Sequence, residues 1–550
     1  MFRRKRPERA WARSEREGFA FRWKTGLATV AAGLAVAWSV PSAAQGQCDR
    51  TLTADIVAFD QPLMFNRLGA SNINGMMFAL KRDVINRSSR KPLTAGGEAT
   101  PGNVELRPDK RPRPLVLRVA AGDCLRITLT NLLTPGPNPN KDPRPEETPP
   151  FNLIIDEQVA DRTVGLHVNG MQLVDSIADD SSYVGRNANA LVRQGQPPRS
   201  YTLYAEKEGV FLLRDSATML GSDRNQGNSS NGLFGQVIVE PKGARIYRGI
   251  LTEEEMRLVT VRRTSRAAGD ATDGHPVINY EATYPTNPSS PTVWDKEGKG
   301  GLPVLNMVHN GAIVHSELEA LIVGPNEDGT FPPETYPLES KGLRNPTVPN
   351  RLEPFRDFAQ LWHDEVAAAQ AFPGFFDDPI FSYVLKGVKD AFMINYGSGG
   401  IGSEIIANRL GVGPMHDCLS CAYEEFFLTS FAVGDPAVLV DVPANVGLES
   451  IRPGETPPPG TTGPKATRAL YPGDVSNIHH SYIGDFVKFR NTHVGKEQHV
   501  FHLHNHQWLF NPNDDNANYI DAQAIGPGSG YTYEINFGGS GNRNKSAGDA

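Results

Sequence analysis

The stretch RPLVLRVAAGDCLRITLTN, residues 113–131, decides the fold. Its second half sets Leu125, Ile127 and Leu129 against Arg126, Thr128 and Thr130. That period of two places apolar side chains on one face of a strand and polar ones on the other. Gly122 and Asp123 punctuate it as a turn. RSYTLYAEKEGVFLLRD at 199–215 and NGLFGQVIVEP at 231–241 repeat the pattern between further Gly, Asn and Pro signals. The 43 prolines and 54 glycines are spread along all 550 residues, which suits short strands joined by long loops rather than helices or βαβ units. The reading is an all-β chain of Greek-key β-sandwich domains, and its length calls for about two to four of them.

Residues 1–44 stand apart from the fold. Arg3, Arg4, Lys5, Arg6 and Arg9 open a basic region, the apolar TGLATVAAGLAVAWSV follows, and Ser42-Ala43-Ala44 ends it. This is the pattern of a secretory signal peptide, so the mature chain is expected to be exported, periplasmic or secreted. The apolar run, about 16 residues, is short of the roughly 20 that span a bilayer, and no second run of that length follows, so no stable membrane span is expected after cleavage. The segment holds nine Lys or Arg and three Asp or Glu, so its removal takes the formal charge from −7 to −13. An acidic mature surface argues against nucleic acid as a partner. Cys48, Cys124, Cys418 and Cys421 remain in a compartment where disulfides persist, with three pairings open. The C-x-x-C pair Cys418 and Cys421, close after His416, reads as a local disulfide, a metal site or a redox pair.

HVFHLHNH at 499–506 packs four of the 13 histidines into eight residues. Neutral imidazole ligates copper, zinc, iron and nickel alike. If Val500 to Phe510 is one strand, His502, His504 and His506 share a face and His499 points the other way. The plain alternative is a surface strand that picks up metal adventitiously.

The H-x-x-H-x-H spacing of His499, His502 and His504 resembles the motif that opens the last cupredoxin domain of multicopper oxidases. The order of strands through GDCLRITLTN, GLHVNGMQ at 165–172 and GLFGQVIVEP is similar to that family's first domain, and DAFMINYGSGG at 390–400 resembles a turn of its middle domain. YEEFFLTS at 423–430 resembles exported bacterial members that oxidise metal ions, manganese among them. The resemblance implies tandem cupredoxin-like domains with copper as cofactor. His499 would be a type 1 ligand, His502 and His167 type 2 ligands, and His504 a type 3 ligand; His506, His363 and His315 are additional candidates. It also implies the coupling of one-electron oxidation of a small reducing substrate, a metal ion or a phenol, to reduction of O2 to water.

Domain boundaries follow at 48–245, 246–440 and 465–550, with the Pro-rich 452–464 as linker, DPIFSYVLKGVKD as a short helix and GDFVKFR as a faint repeat of GDCLRIT. The family's second copper motif, H-C-H, occurs nowhere in this sequence, so the last domain is expected to be incomplete. Asn169 stands where an imidazole is expected, and 211–217 carries no histidine. His167 can instead bond within its turn, and His363 can be a paired strand-end residue. His479 and His480 read as surface residues or the surroundings of a site. Two rival functions remain: a non-catalytic copper-binding or copper-tolerance protein, and a mononuclear zinc hydrolase that pairs His499–His506 with Asp514 or Asp515.

Overall fold

The computed structural model describes residues 48–64, 71–72, 75–136, 162–182, 189–217, 228–229, 231–263, 276–336, 351–363, 393–396, 479, 481, 484–495, 497–504, 506–514 and 516–537. The signal segment, the linker, the stretches at 378–390 and 423–430, and Cys418, Cys421, His416, His480 and Asp515 lie outside them. Among the described residues the architecture is nearly all β; Glu253–Val259 and Val293–Lys296 are short α-helices, and no helix is long and apolar enough to cross a membrane.

Three sheets stack as successive layers. The first is seven-stranded and contains Thr51–Asp60 flanked by Cys124–Asn131 in parallel and Met76–Leu80 antiparallel. Gln172–Leu173 and Arg199–Tyr204 extend it beyond Cys124–Asn131, and Ala312–Ile313 with Val308–His309 extends it on the far side. The second sheet has the order Leu115–Ala120, Phe234–Glu240, Gly209–Arg214, His167–Val168. The third runs Arg245–Arg248, Glu319–Val323, Phe355–His363, Phe486–His493, Gly530–Asn536, with Met393–Ile394 paired to the end of Phe355–His363. Most pairings in these sheets join strands that are not consecutive in sequence, as in Greek-key sandwiches.

The alternation in 113–131 is what builds the first core. Leu125, Ile127 and Leu129 point from the first sheet onto Leu115, Leu117, Val119, Val237 and Val239 of the second. Cys48 and Cys124 form a disulfide at the edge of this sandwich, which settles one of the open pairings. The second sheet is buried on both faces: Val116, Leu212, Phe234 and Ile238 meet Leu318, Ala359 and Leu361 of the third. A strand covered on both sides reads as a continuous apolar run, and LVLRVA does so except for Arg118.

Arg118 is the start of a buried charge network between the second and third sheets. It donates to Asp357 Oδ1 (2.9 Å) and to the carbonyls of Glu317 (2.6 Å) and Leu318 (3.2 Å). Arg490 donates to Asp357 (2.5 Å), Glu240 (3.0 Å) and Glu208 (3.0 Å), and Lys488 to Glu208 (2.5 Å), with Glu534 at 3.2 Å. Burial, and then the neighbouring Asp357, push the Glu240 carboxyl up to about 8, while Arg490 and Arg118 pull it down without prevailing.

The sign of the resulting pH dependence is fixed. Between the ordinary carboxylate range and about 8 the native chain keeps a proton at Glu240 that the unfolded chain gives up. Its contribution is therefore full at acid pH and is lost as pH rises through 8. In urea unfolding at a series of pH values the wild-type chain should lose stability relative to Glu240→Gln over this window; a difference between the two that does not change with pH contradicts the assignment. The disulfide closes a loop across 76 positions, for which chain entropy gives about 4 kcal/mol; Cys124→Ala should lower the urea midpoint accordingly.

Candidate metal centre

Strand periodicity sorts the histidines of the third sheet onto opposite faces. In Phe486–His493, Lys488 and Arg490 face the charge network, so Val487, Phe489 and His493 face outward onto the hairpin formed by His499–His502 and Ala522–Ile525. In Phe355–His363 the same alternation turns His363 inward, against Phe234 (ring centroids 5.1 Å), and Trp362 outward, toward His499 (6.3 Å). His363 thus lies across the sheet from the histidine strand. Its Nε2 accepts the N–H of Tyr396 (3.3 Å).

The strand is shorter than the sequence reading expects. It covers His499–His502 only; His504 falls in a turn, and the next strand is Trp508–Leu509. The shared strand face proposed for His502, His504 and His506 does not form, because the chain leaves the ladder after Asp521 pairs with Leu503. His499 and His502 do point to opposite sides, as a period of two requires: His499 packs near Trp362, and His502 is exposed. The His502 and His504 rings sit 5.1 Å apart, both accessible.

Sequence reasoning missed His493. It is fully buried and its ring stacks on His499 at 5.2 Å. The signal was available in the six-residue spacing from His493 to His499, which returns the chain on itself through a short turn. His493 Nδ1 accepts the N–H of Gly495 (2.8 Å), so that nitrogen is committed to the turn.

On the first sandwich, His167 is in register with Arg214 on Gly209–Arg214. A guanidinium therefore stands beside His167 where the resemblance calls for a second imidazole. Asn169 donates to the carbonyl of Gly528 (3.2 Å), bringing the His167 turn against the loop that also bonds His493 through Gly528 N–H (2.8 Å). His167 Nδ1 meets Asp180 Oδ2 at 2.7 Å. Burial pushes the Asp180 carboxyl up, but hydrogen bonds from His167 and Ser182 outweigh it and hold it below the usual carboxylate range.

His315 belongs elsewhere. It is buried beside Tyr284, its Nε2 against the Pro303 carbonyl (2.8 Å), and burial followed by Arg248 and Lys110 lowers its pKa well below the ordinary value. His479 stacks on Phe358 (4.6 Å) and meets Glu319 at 3.0 Å.

Three candidates share one chemical feature. His167 holds Nδ1 against a carboxylate, His502 against the Asp521 carbonyl (2.7 Å) and His506 against the His504 carbonyl (2.9 Å). Each acceptor fixes the Nδ1–H tautomer and leaves the Nε2 lone pair for a ligand, the arrangement that metal-binding histidines use. His506 Nε2 is buried without a hydrogen-bond partner among the described residues. The tautomers fit a metal. A closed site is not assembled from them: among the described residues no three His, Cys, Asp or Glu side chains converge on one point.

Asp180→Ala removes the acceptor and should free the His167 ring, with circular dichroism checking that the fold is kept. If His167 is a ligand, metal affinity should fall about 10- to 100-fold; unchanged affinity removes His167 from the site.

No protein-family model matches this chain, and no curated protein matches it. Solved structures with some likeness include a copper nitrite reductase from Nitrosomonas europaea, at 11% identity and TM-score 0.32, over 89% of this chain and 85% of that one. A blue copper oxidase from the same organism has 12% identity and TM-score 0.32, over 89% and 76%. The multicopper oxidase mgLAC has 11% identity and TM-score 0.33, over 88% and 75%. Likenesses at these scores carry no argument.

Proposed function

We propose that this chain is an exported copper protein with tandem cupredoxin-like sandwich domains, and within that class an oxidoreductase of the multicopper oxidase type. It would couple one-electron oxidation of a small reducing substrate, a phenol or metal ion, to reduction of O2 to water. The observation that carries the reading is the anchoring of Nδ1 in His167, His502 and His506, which presents Nε2 as the free nitrogen at each. Among divalent first-row ions, copper has the highest affinity for such nitrogen donors.

His499, His502, His504 and His167 are the proposed ligands, with His506 as a further one. Bound copper supplies the one-electron chemistry. The chain supplies orientation: Asp180 and the Asp521 carbonyl fix two rings, and the His493 stack fixes a third. Among the described residues no three of these donors converge. The accessible pair His502 and His504 favours a second reading, a copper-binding protein without turnover.

Copper loading of the secreted protein separates these readings. Metal analysis and electron paramagnetic resonance should show Cu(II) with nitrogen ligands, and the double variant His502→Ala, His504→Ala should lose most of it. Oxygen uptake with a phenol or Mn(II) supports the oxidase. Copper retained without oxygen uptake leaves the copper-binding protein, and zinc retained in preference to copper sinks both.

A further inference from the structure

A cavity of about 390 Å³ opens between the first two sheets and the edge of the third, lined in part by Gly170, Tyr204, Glu206, Glu208, Phe211 and Thr532. Its size is that of a small-molecule site. We propose that it binds a small organic monocation, a primary ammonium on an aromatic or aliphatic body.

The charge that a ligand can reach is negative. Glu206 and Glu208 line the cavity, with Lys207 as the one opposing cation among the described lining residues. Gln172 donates to Glu206 Oε2 (2.6 Å), which leaves Oε1 to accept from a ligand. Lys488 and Arg490 both bond Glu208 on Oε1, which leaves its Oε2. Those two cations lie beneath Glu208 with fully buried side chains, so an anion would have to strip Glu208 from both to reach them. Two carboxylate oxygens accept N–H donors at the strength of charge-assisted hydrogen bonds.

The walls suit the rest of such a ligand. Tyr204 and Phe211 are both part-exposed and present aromatic surface to a cation. Glycines hold the space around the Phe211 ring: a Cβ on Gly170, whose φ is +90°, would meet that ring at 3.1 Å, and one on Gly209 at 3.4 Å. A Cβ on Gly530 would meet the Val210 carbonyl at 2.7 Å. Gly530 is in register with Thr492, next to His493, so the cavity wall adjoins the histidine strand. The site stands independently of any bound copper.

Titration calorimetry of the copper-free full chain at pH 7 tests it, with phenethylammonium as probe and 2-phenylethanol as its neutral counterpart. The ammonium should bind at least about tenfold tighter than the alcohol, and Glu206→Gln, at an exposed position, should remove about tenfold of that affinity. Met171→Trp, which adds bulk among the lining residues, should weaken binding with an unchanged circular dichroism spectrum. Equal binding of the two probes, no binding of the ammonium, or full affinity in Glu206→Gln would overturn the proposal.

Discussion

The ion network around Arg490 is the constraint on which the layering depends. Arg490 and Arg118 are fully buried, and between them they hold Asp357, Glu240 and Glu208. Ions taken out of water are tolerated only when paired with good geometry, and removing one partner of a buried pair costs about 3–5 kcal/mol. Arg118 of the second sheet pairs with Asp357 of the third, and Glu240 of the second, protonated at neutral pH, accepts from Arg490 of the third, so neither sheet satisfies its buried polar groups alone. The two must dock in a single register, and Gln236 reinforces it by donating to the carbonyls of Gln360 and Arg490 (both 2.9 Å). Apolar packing through Ile238 and Ala359 supplies the bulk of the driving force there, without direction. The network supplies the direction.

That register places the histidines. With Lys488 and Arg490 committed to the inner face of the third sheet, alternation leaves His493 on the outer face beside Trp362 and the His499 strand. The parallel pairing of Trp362 with His493 puts His363 one step on and on the other side. A slip of one residue in either strand would exchange the faces and bury charges in the aromatic cluster of Phe489, Phe501, Trp508 and Tyr533. The charge network and the metal candidates are thus two faces of one sheet.

The backbone is strained in one place near these elements. Asn395 and Tyr396 are consecutive non-glycine residues with φ of +53° and +66°. Such positions persist when their surroundings over-determine them. Asn395 accepts the N–H of Leu361 (2.9 Å) and donates to the Ala359 carbonyl (3.0 Å), while the Tyr396 hydroxyl bonds the Gly232 carbonyl. The turn pins the end of Phe355–His363, and with it the direction in which His363 and Trp362 point.

Local pattern was enough for the all-β class and for the inward face of 113–131, because a period of two is a property of neighbouring residues and one face of each of these strands is apolar. The outward and inward directions of His499 and His502 were legible for the same reason. The end of that strand was not, since Val, Phe, Leu and Trp continue past His504 and only the pairing partner at Ala522–Ile525 shows where the ladder stops. Arg118 is visible as a lone charge in an apolar run, yet its carboxylate partners Glu240 and Asp357 lie 122 and 239 positions away in the chain. His493 gained its place against His499 from a turn between two sheets. Sequence alone determined which residues alternate and which carry metal-binding chemistry. The tertiary structure decided which of them meet, because contact between side chains on different sheets depends on register and layer order, which no local pattern encodes.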